Sequence, residues 1–461
     1  MRHRTRRAPT AQRRGLGITL TAVIEVVGVQ AGGVSSLSDE LRRIVLGAAV
    51  VVGSPRLLET LPSSSQRRQV EWPRPLLAGL DDLVRELTAG PQPVVVLATG
   101  DPLDSGIGTT LIRRVGVDGV RIHPAVGAVA LARARMGWSS TDVDVISLVS
   151  TPAYAVRRYL SPGRRLLLLS ADESTPAAVA RELVDAGLPA ARLTVLGNLG
   201  STDETRSDLL ASELGQYGDL PRLNILAVLL PSDAVTVGTA PGRPDEEFEH
   251  DGQLTKREIR ACALAALRPA PGQLLWDLGA GAGSVAIEWA LHDPRCRAIA
   301  VERSSDRAAR IERNVARTGA VGVQVVHRAI RDAVSDLPAP DAVFIGGGAD
   351  QATIDSAWAA LRPGGRLVVH TVTLETEQLV IESMRQYGGR LRRITIERVE
   401  PLGQYLSWKP ARPVVEWAVT RDVAVTDDEP AGSSKAGDER SRQSVNKSTI
   451  AAIKGNESTG T

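Results

Sequence analysis

Short unbroken apolar runs, each closed by glycine, proline, serine or aspartate, recur along most of this chain, and stretches with helical spacing lie between them. Strands are predicted over residues 22–29, 48–52, 93–98, 120–123, 143–148, 165–170, 193–196 and 224–229. Helices are predicted over 38–44, 76–87, 109–115, 125–136 and 176–186. Runs that are apolar at every position suit strands buried on both faces, and their alternation with helices predicts an α/β unit. Residues 22–230 are long enough for two small α/β lobes.

The pattern then breaks. Residues 231–249 carry Pro231, Pro241, Pro244 and the acidic run Asp245-Glu246-Glu247, and read as a linker. A second α/β unit is predicted over 250–421, with strands at 274–277, 297–301, 322–327 and 341–345. Its last strands, 394–399 and 414–420, are predicted to form an antiparallel pair at one end of an otherwise parallel, doubly wound sheet. Residues 1–21 form a basic leader and 422–461 a polar tail, both expected to be disordered.

Composition narrows the class. Hydrophobic residues at 43% and charged residues at 23% fit a globular protein, and a net charge of +2 gives no global field for nucleic acid. The basic residues are nearly all arginine, which grips carboxylates at two points; before the tail, Lys256 and Lys409 are the only lysines. The two cysteines, Cys262 and Cys296, suggest neither a disulfide framework nor a zinc site, and a reducing cytoplasm is expected. The longest apolar run, residues 44–53, falls short of a membrane span. The leader reads as an extension or an upstream start rather than a cleaved signal peptide. His3, His123, His250, His292, His327 and His370 are scattered without metal-ligand spacing, so no metal site is expected and each histidine is read as structural or exposed.

The densest chemistry lies at Asp277-Leu278-Gly279-Ala280-Gly281-Ala282-Gly283-Ser284, between an apolar strand and a helix-forming run. The next strand ends in Glu302, an acid suited to ribose hydroxyls. In a dinucleotide fingerprint a third glycine lets the helix pack on the strand, but here that register holds Ser284. The observed D-x-G-x-G-x-G pattern is typical of S-adenosylmethionine (AdoMet) methyltransferases, whose donor lacks a pyrophosphate and needs close backbone approach. An NAD site and a plain structural turn are the alternatives. Phe344-Ile345-Gly346-Gly347-Gly348 closes the fourth strand and leaves room for a large flat acceptor; Ala329 follows the third, where adenine would lie. Thr255 is either the N-cap of a helix over 256–265 or part of a segment closing over the cofactor. In the first unit, Gly100-Asp101-Pro102 ends the most apolar strand and Gly106 sits in the glycine-bearing turn that follows.

Together these residues carry a resemblance. Residues 250–256, the glycine run, Glu302 and Phe344-Ile345-Gly346-Gly347 resemble the decarboxylating precorrin C15-methyltransferases of corrin-ring synthesis. Thr99-Gly100-Asp101-Pro102, Gly106-Ile107-Gly108, Pro124-Ala125-Val126 and Ala134-Arg135-Met136-Gly137-Trp138 resemble the C5-methylating branch of the tetrapyrrole methylase family. Both in one chain resemble the fused precorrin-6Y C5,15-methyltransferase family of cobalamin biosynthesis. The resemblance implies a two-lobed tetrapyrrole methylase fold followed by a Rossmann-like AdoMet methyltransferase domain. It implies AdoMet contacts at Thr255, Gly279, Ala280, Gly281, Ala282, Gly283, Glu302 and Ala329, and near Gly100, Asp101 and Gly106. Two departures fall in the first domain: Gln30 stands where that family carries a second turn glycine, and Gly127 replaces a serine.

The implied reaction is transfer of two methyl groups to C5 and C15 of a precorrin, with loss of the C12 acetate carboxyl. Partners would be that tetrapyrrole and further copies of the chain, since both families tend to assemble, with no nucleic acid and no membrane. Arg257, Arg260 and Arg303, near the motif loops, are candidates for the substrate's carboxylates. The rival readings are a methyltransferase of another large acceptor such as RNA, and a non-catalytic nucleotide-binding scaffold.

Overall fold

A computed structural model describes residues 23–104, 106–214, 218–234 and 238–422; the leader and nearly all of the tail lie outside the described residues. Three sheets follow one another along the chain. The first holds β1 (Ile24–Val29), β2 (Val50–Gly53), β3 (Arg68–Glu71), β4 (Val94–Thr99) and β5 (Val120–His123), all parallel, in the order β3-β2-β4-β1-β5. Separate apolar clusters cover its two faces, one around Leu80 and Val84, the other around Val45 and Leu57. The second, mixed sheet orders β6 (Asp144–Ser147), β7 (Arg165–Leu169), β8 (Arg192–Gly197), β9 (Thr205–Leu210) and β10 (Asn224–Leu229) as β6-β7-β10-β8-β9. Both lobes predicted for 22–230 are therefore present. β3 and β9 are absent from the sequence reading because they are polar edge strands with no apolar run.

The third sheet has seven strands. β11 (Leu274–Leu278), β12 (Arg297–Glu302), β13 (Val323–His327), β14 (Ala342–Ile345) and β15 (Arg366–Thr371) run parallel in the order β13-β12-β11-β14-β15. β16 (Arg390–Ile394) and β19 (Val414–Thr420) complete it, with β19 antiparallel to both β15 and β16. The antiparallel end was expected, but the strand drawn over 394–399 stops at Ile394. The chain then leaves the sheet as an exposed hairpin, β17 (Glu397–Leu402) and β18 (Tyr405–Pro410), and returns where Ala411 N–H donates to Ile396 carbonyl at 2.8 Å. Trp276, Trp289, Trp417 and Phe344 are fully buried around this sheet. The helix expected over 125–136 begins at Ala128, because residues up to Gly127 are extended.

The stretch read as a linker is docked at its C-terminal end. Phe248 joins the third sheet's core. Glu288, 3% exposed, accepts Gly242 N–H at 2.7 Å and Arg243 N–H at 3.0 Å. The same carboxylate takes Arg260, fully buried in helix Arg257–Leu267, which also reaches Asp245 at 3.2 Å and the Arg243 and Thr255 carbonyls. A guanidinium out of water needs partners, and here each of its three nitrogens donates. Upstream, the turn Ala153–Tyr159 joins the second and third sheets: Tyr154 packs on the third core and Arg158 donates to Leu291 carbonyl at 3.1 Å.

Arg260→Met leaves Glu288 charged and buried without its guanidinium. The expected cost is about 3–5 kcal/mol, read as a lower midpoint in urea denaturation followed by circular dichroism.

Candidate functional site

The strand order reverses at β11: β12 lies on one side and β14 on the other, so the loops beyond their C-terminal ends part. In sheets of this type ligands bind at that switch point. A cavity of about 860 Å³ opens there, lined by the loops after β11, β12, β13, β14 and β15, by residues 252–256 and by the root of the hairpin.

Glycine is required at two points of its floor. Gly279 has φ +74°, and a Cβ there would stand 2.4 Å from Gly347 carbonyl oxygen, so the loops after β11 and β14 meet backbone to backbone. Gly281 has φ +59°, and its Cβ would lie 3.3 Å from Gln253 carbonyl oxygen. Glu302, 4% exposed, fixes this loop by accepting Gly281 N–H at 2.9 Å and Ser304 N–H at 3.0 Å. Asp277 beneath it accepts Ala286 N–H at 3.0 Å, closing the first turn of the following helix. Burial first, and Glu302 second, push the Asp277 carboxyl up to about 7.

Thr255, Gly279, Ala280, Gly281, Glu302 and Ala329 all line the cavity; Ala282 and Gly283 do not. Gly283 faces Ile311, 2.6 Å from a notional Cβ, and so serves the packing of two helices. Ala282 is buried, and its carbonyl accepts Asn314 Nδ2 at 3.0 Å. Thr255 caps nothing: the helix begins at Arg257 after Lys256, and Thr255 carbonyl is held by Arg260 instead. Asp251, just before this turn, pairs with Arg307 at 2.8 Å and Arg310 at 3.2 Å, which hold its carboxyl well below the usual range. Residues 252–256 are thus anchored on both sides.

The cavity wall is cationic. Lys256, Arg303, Arg307, Arg331, Arg398 and Arg412 all reach it. Arg398 pairs with Glu258 at 2.6 Å and Arg307 with Asp251, whereas no described group pairs with the side chains of Arg303 or Arg412. Of the three arginines singled out in the sequence, only Arg303 lies here. Arg260 is spent inside the fold, and Arg257 is not on the wall. Arg398 and Arg412 come from the hairpin root, and His370 from the end of β15, so no local motif marks them.

A second cavity, about 200 Å³, lies between the first two sheets. Gly100 and Asp101 line it, as do Gln30 and Gly127, the two departures noted in the sequence. Gly106 does not; a Cβ there would stand 2.5 Å from Pro102 carbonyl oxygen, so it shapes the turn. Burial first, and then Asp101, raise the Asp104 carboxyl on this wall. Ser170 Oγ and Asn224 Oδ1 are buried on it without a protein partner.

A precorrin methyltransferase domain family matches residues 246–421, and the tetrapyrrole (corrin/porphyrin) methylase family matches residues 23–214. A Sinorhizobium protein named precorrin-6Y C(5,15)-methyltransferase (decarboxylating) is 41% identical over 401 residues, 86% of this chain and 96% of its own length. The chain belongs to the precorrin-6Y C5,15-methyltransferase (decarboxylating) family. A protein of the same name from Mycobacterium tuberculosis (strain CDC 1551 / Oshkosh) is 41% identical across 100% of its length and 87% of this chain. A crystal structure of the C-terminal domain of precorrin-6Y C5,15-methyltransferase from Rhodobacter capsulatus is 45% identical, with a TM-score of 0.39, over 40% of this chain and 100% of that one. Among the described residues no helix is long and apolar enough to cross a membrane.

Asp277 predicts a pH signature. Its folded pKa lies above the unfolded value, so its contribution to stability is full below about pH 4 and is lost as pH rises through about 7. Asp277→Asn keeps an acceptor for Ala286 and removes that dependence. Its stability relative to wild type is expected to rise by about 1.4 kcal/mol per pH unit across that window, measured by denaturation at pH 5 and pH 8.

Proposed function

We propose that this chain carries two AdoMet sites and methylates C5 and C15 of a precorrin, with loss of the C12 acetate carboxyl. Residues 22–230 serve C5; residues 250–421 serve C15 and the decarboxylation. The observation that carries this reading is the large cavity at the switch point, which combines a glycine floor, Glu302 and unpaired arginines in a chain of this family.

The residues fit the donor. At Gly279 and Gly281 a side chain would fill the space beside the backbone. Each Glu302 oxygen holds one N–H and keeps a lone pair for a ribose hydroxyl. Ala329 lies beyond the third strand, on the side for adenine, and Thr255 belongs to the anchored turn above. When bound, AdoMet supplies an electrophilic methyl group on a sulfonium. The meso carbons of a reduced tetrapyrrole are enamine-like and already nucleophilic, so the protein's share is alignment and exclusion of water. Arg303, Arg331 and Arg412 suit the acceptor's carboxylates. RNA has less support, because among the described residues Phe344 and His370 are the only aromatic rings on the cavity wall and single-strand binding uses stacking platforms. In the first domain, Gly100 and Asp101 are the donor contacts, on the wall of the cavity between the first two sheets.

Incubation with AdoMet and precorrin-6B is expected to add two methyl groups and remove one carbon dioxide, read by mass spectrometry. An unchanged substrate under conditions where a known relative turns over would refute the proposal. Gly281→Arg fills the second donor site, so it is expected to add one methyl, at C5, and to retain carbon dioxide; loss of both methylations would contradict two separate sites.

A further inference from the structure

His370 is the penultimate residue of β15, on the wall of the large cavity, and the residues behind it come from β19 and, beyond that, β16. In register, His370 stands opposite Glu416 of β19, and Glu416 opposite Arg392 of β16. The line is hydrogen-bonded throughout: His370 Nε2 lies 3.0 Å from one Glu416 oxygen, and Arg392 Nε donates to the other at 2.7 Å. Glu416 is fully buried and His370 is 7% exposed. Phe344 meets the imidazole edge to face, with ring centres 5.1 Å apart, and fixes its plane. Burial pushes the Glu416 carboxyl up, but the hydrogen bonds from His370 and Arg392 more than offset it and hold the group below its ordinary value.

An ionised Glu416 only accepts, so Nε2 carries a hydrogen, and in the neutral ring Nδ1 then holds the lone pair. No described group bonds Nδ1, and the ring that carries it belongs to the cavity wall. Glu416 has Arg392 behind it, and the helix packed against β15 carries Glu258, paired with Arg398, to the same cavity wall. A base aimed into the site, with its tautomer set from behind by a carboxylate, is the arrangement used to move protons.

We propose that His370 is the catalytic acid–base group of the second site, and that Glu416 is its positioning residue. The proposal rests on the function argued above. Methylation breaks the methyl–sulfur bond of AdoMet, which leaves as S-adenosylhomocysteine, and forms a carbon–carbon bond at C15; the proton that carbon sheds goes to the Nδ1 lone pair. Decarboxylation breaks the bond between the C12 acetate methylene and its carboxylate carbon. The electron pair passes through the conjugated ring, carbon dioxide departs, and Nδ1–H returns the proton to the methylene carbon, leaving a methyl group. The imidazole begins and ends neutral, and no oxidant or reductant is consumed.

The test uses the full chain with AdoMet and precorrin-6B, followed by mass spectrometry. His370→Gln is expected to leave C5 methylation unchanged and to slow both C15 methylation and carbon dioxide release by about 10²-fold or more, so that C5-methylated product retaining the carboxyl accumulates. Added imidazole is expected to restore carbon dioxide release to His370→Ala. Decarboxylation by both variants at the wild-type rate, without imidazole, overturns the proposal and leaves the functional reading intact. A wild-type chain that leaves the substrate unchanged overturns both. Histidine ¹⁵N NMR of the ligand-free wild-type chain gives an independent readout: an Nε2-protonated His370 ring is expected, and an Nδ1-protonated ring overturns the proposal whatever the variants do.

Discussion

The approach of two backbones sets the geometry of the larger site. Gly279 after β11 and Gly347 after β14 come so close that any side chain at Gly279 would strike a carbonyl oxygen. This contact lies where the strand order reverses, so it is also where the two halves of the sheet send their loops apart. The floor of the cavity is therefore bare backbone, held by Glu302 on one side and by Asp277 from below. Acids at both places polarise the loop without occupying it.

What lies above that floor depends on a second buried interaction. Arg260 gathers Glu288, Asp245 and two carbonyls, and in doing so fastens residues 242–249 and the turn at Thr255 to the body of the domain. On the other side Asp251 is held by Arg307 and Arg310. The segment that enters the domain from the preceding lobes is thereby part of the cavity wall, and a guanidinium that reads in sequence as a substrate clamp is instead structural.

The legible parts were those in which one local stretch carries its own chemistry. Asp277 to Gly281 and Glu302 meet in space as their motif implies, and most parallel core strands are apolar runs, whereas β15, with Arg366 and His370 among its apolar residues, is absent from the sequence reading. Gly283 misled because alternate glycines look alike in sequence, although one faces the cavity and the other faces Ile311. His370, Arg398 and Arg412 could not be read, because their roles arise from strand pairing and from a hairpin root that only the tertiary fold brings to the cavity. Polar edge strands such as β9 were lost for a related reason: without an apolar run they resemble loops.

A crystal structure of the full chain grown with S-adenosylhomocysteine tests the central claim most directly, because it locates the donor sites without reference to any acceptor. The account predicts two molecules per chain: one with its ribose on Glu302 and its backbone neighbours at Gly279 and Gly281, the other between the first two sheets beside Gly100 and Asp101. Density at neither cavity, or a single molecule bound away from Glu302, would contradict it.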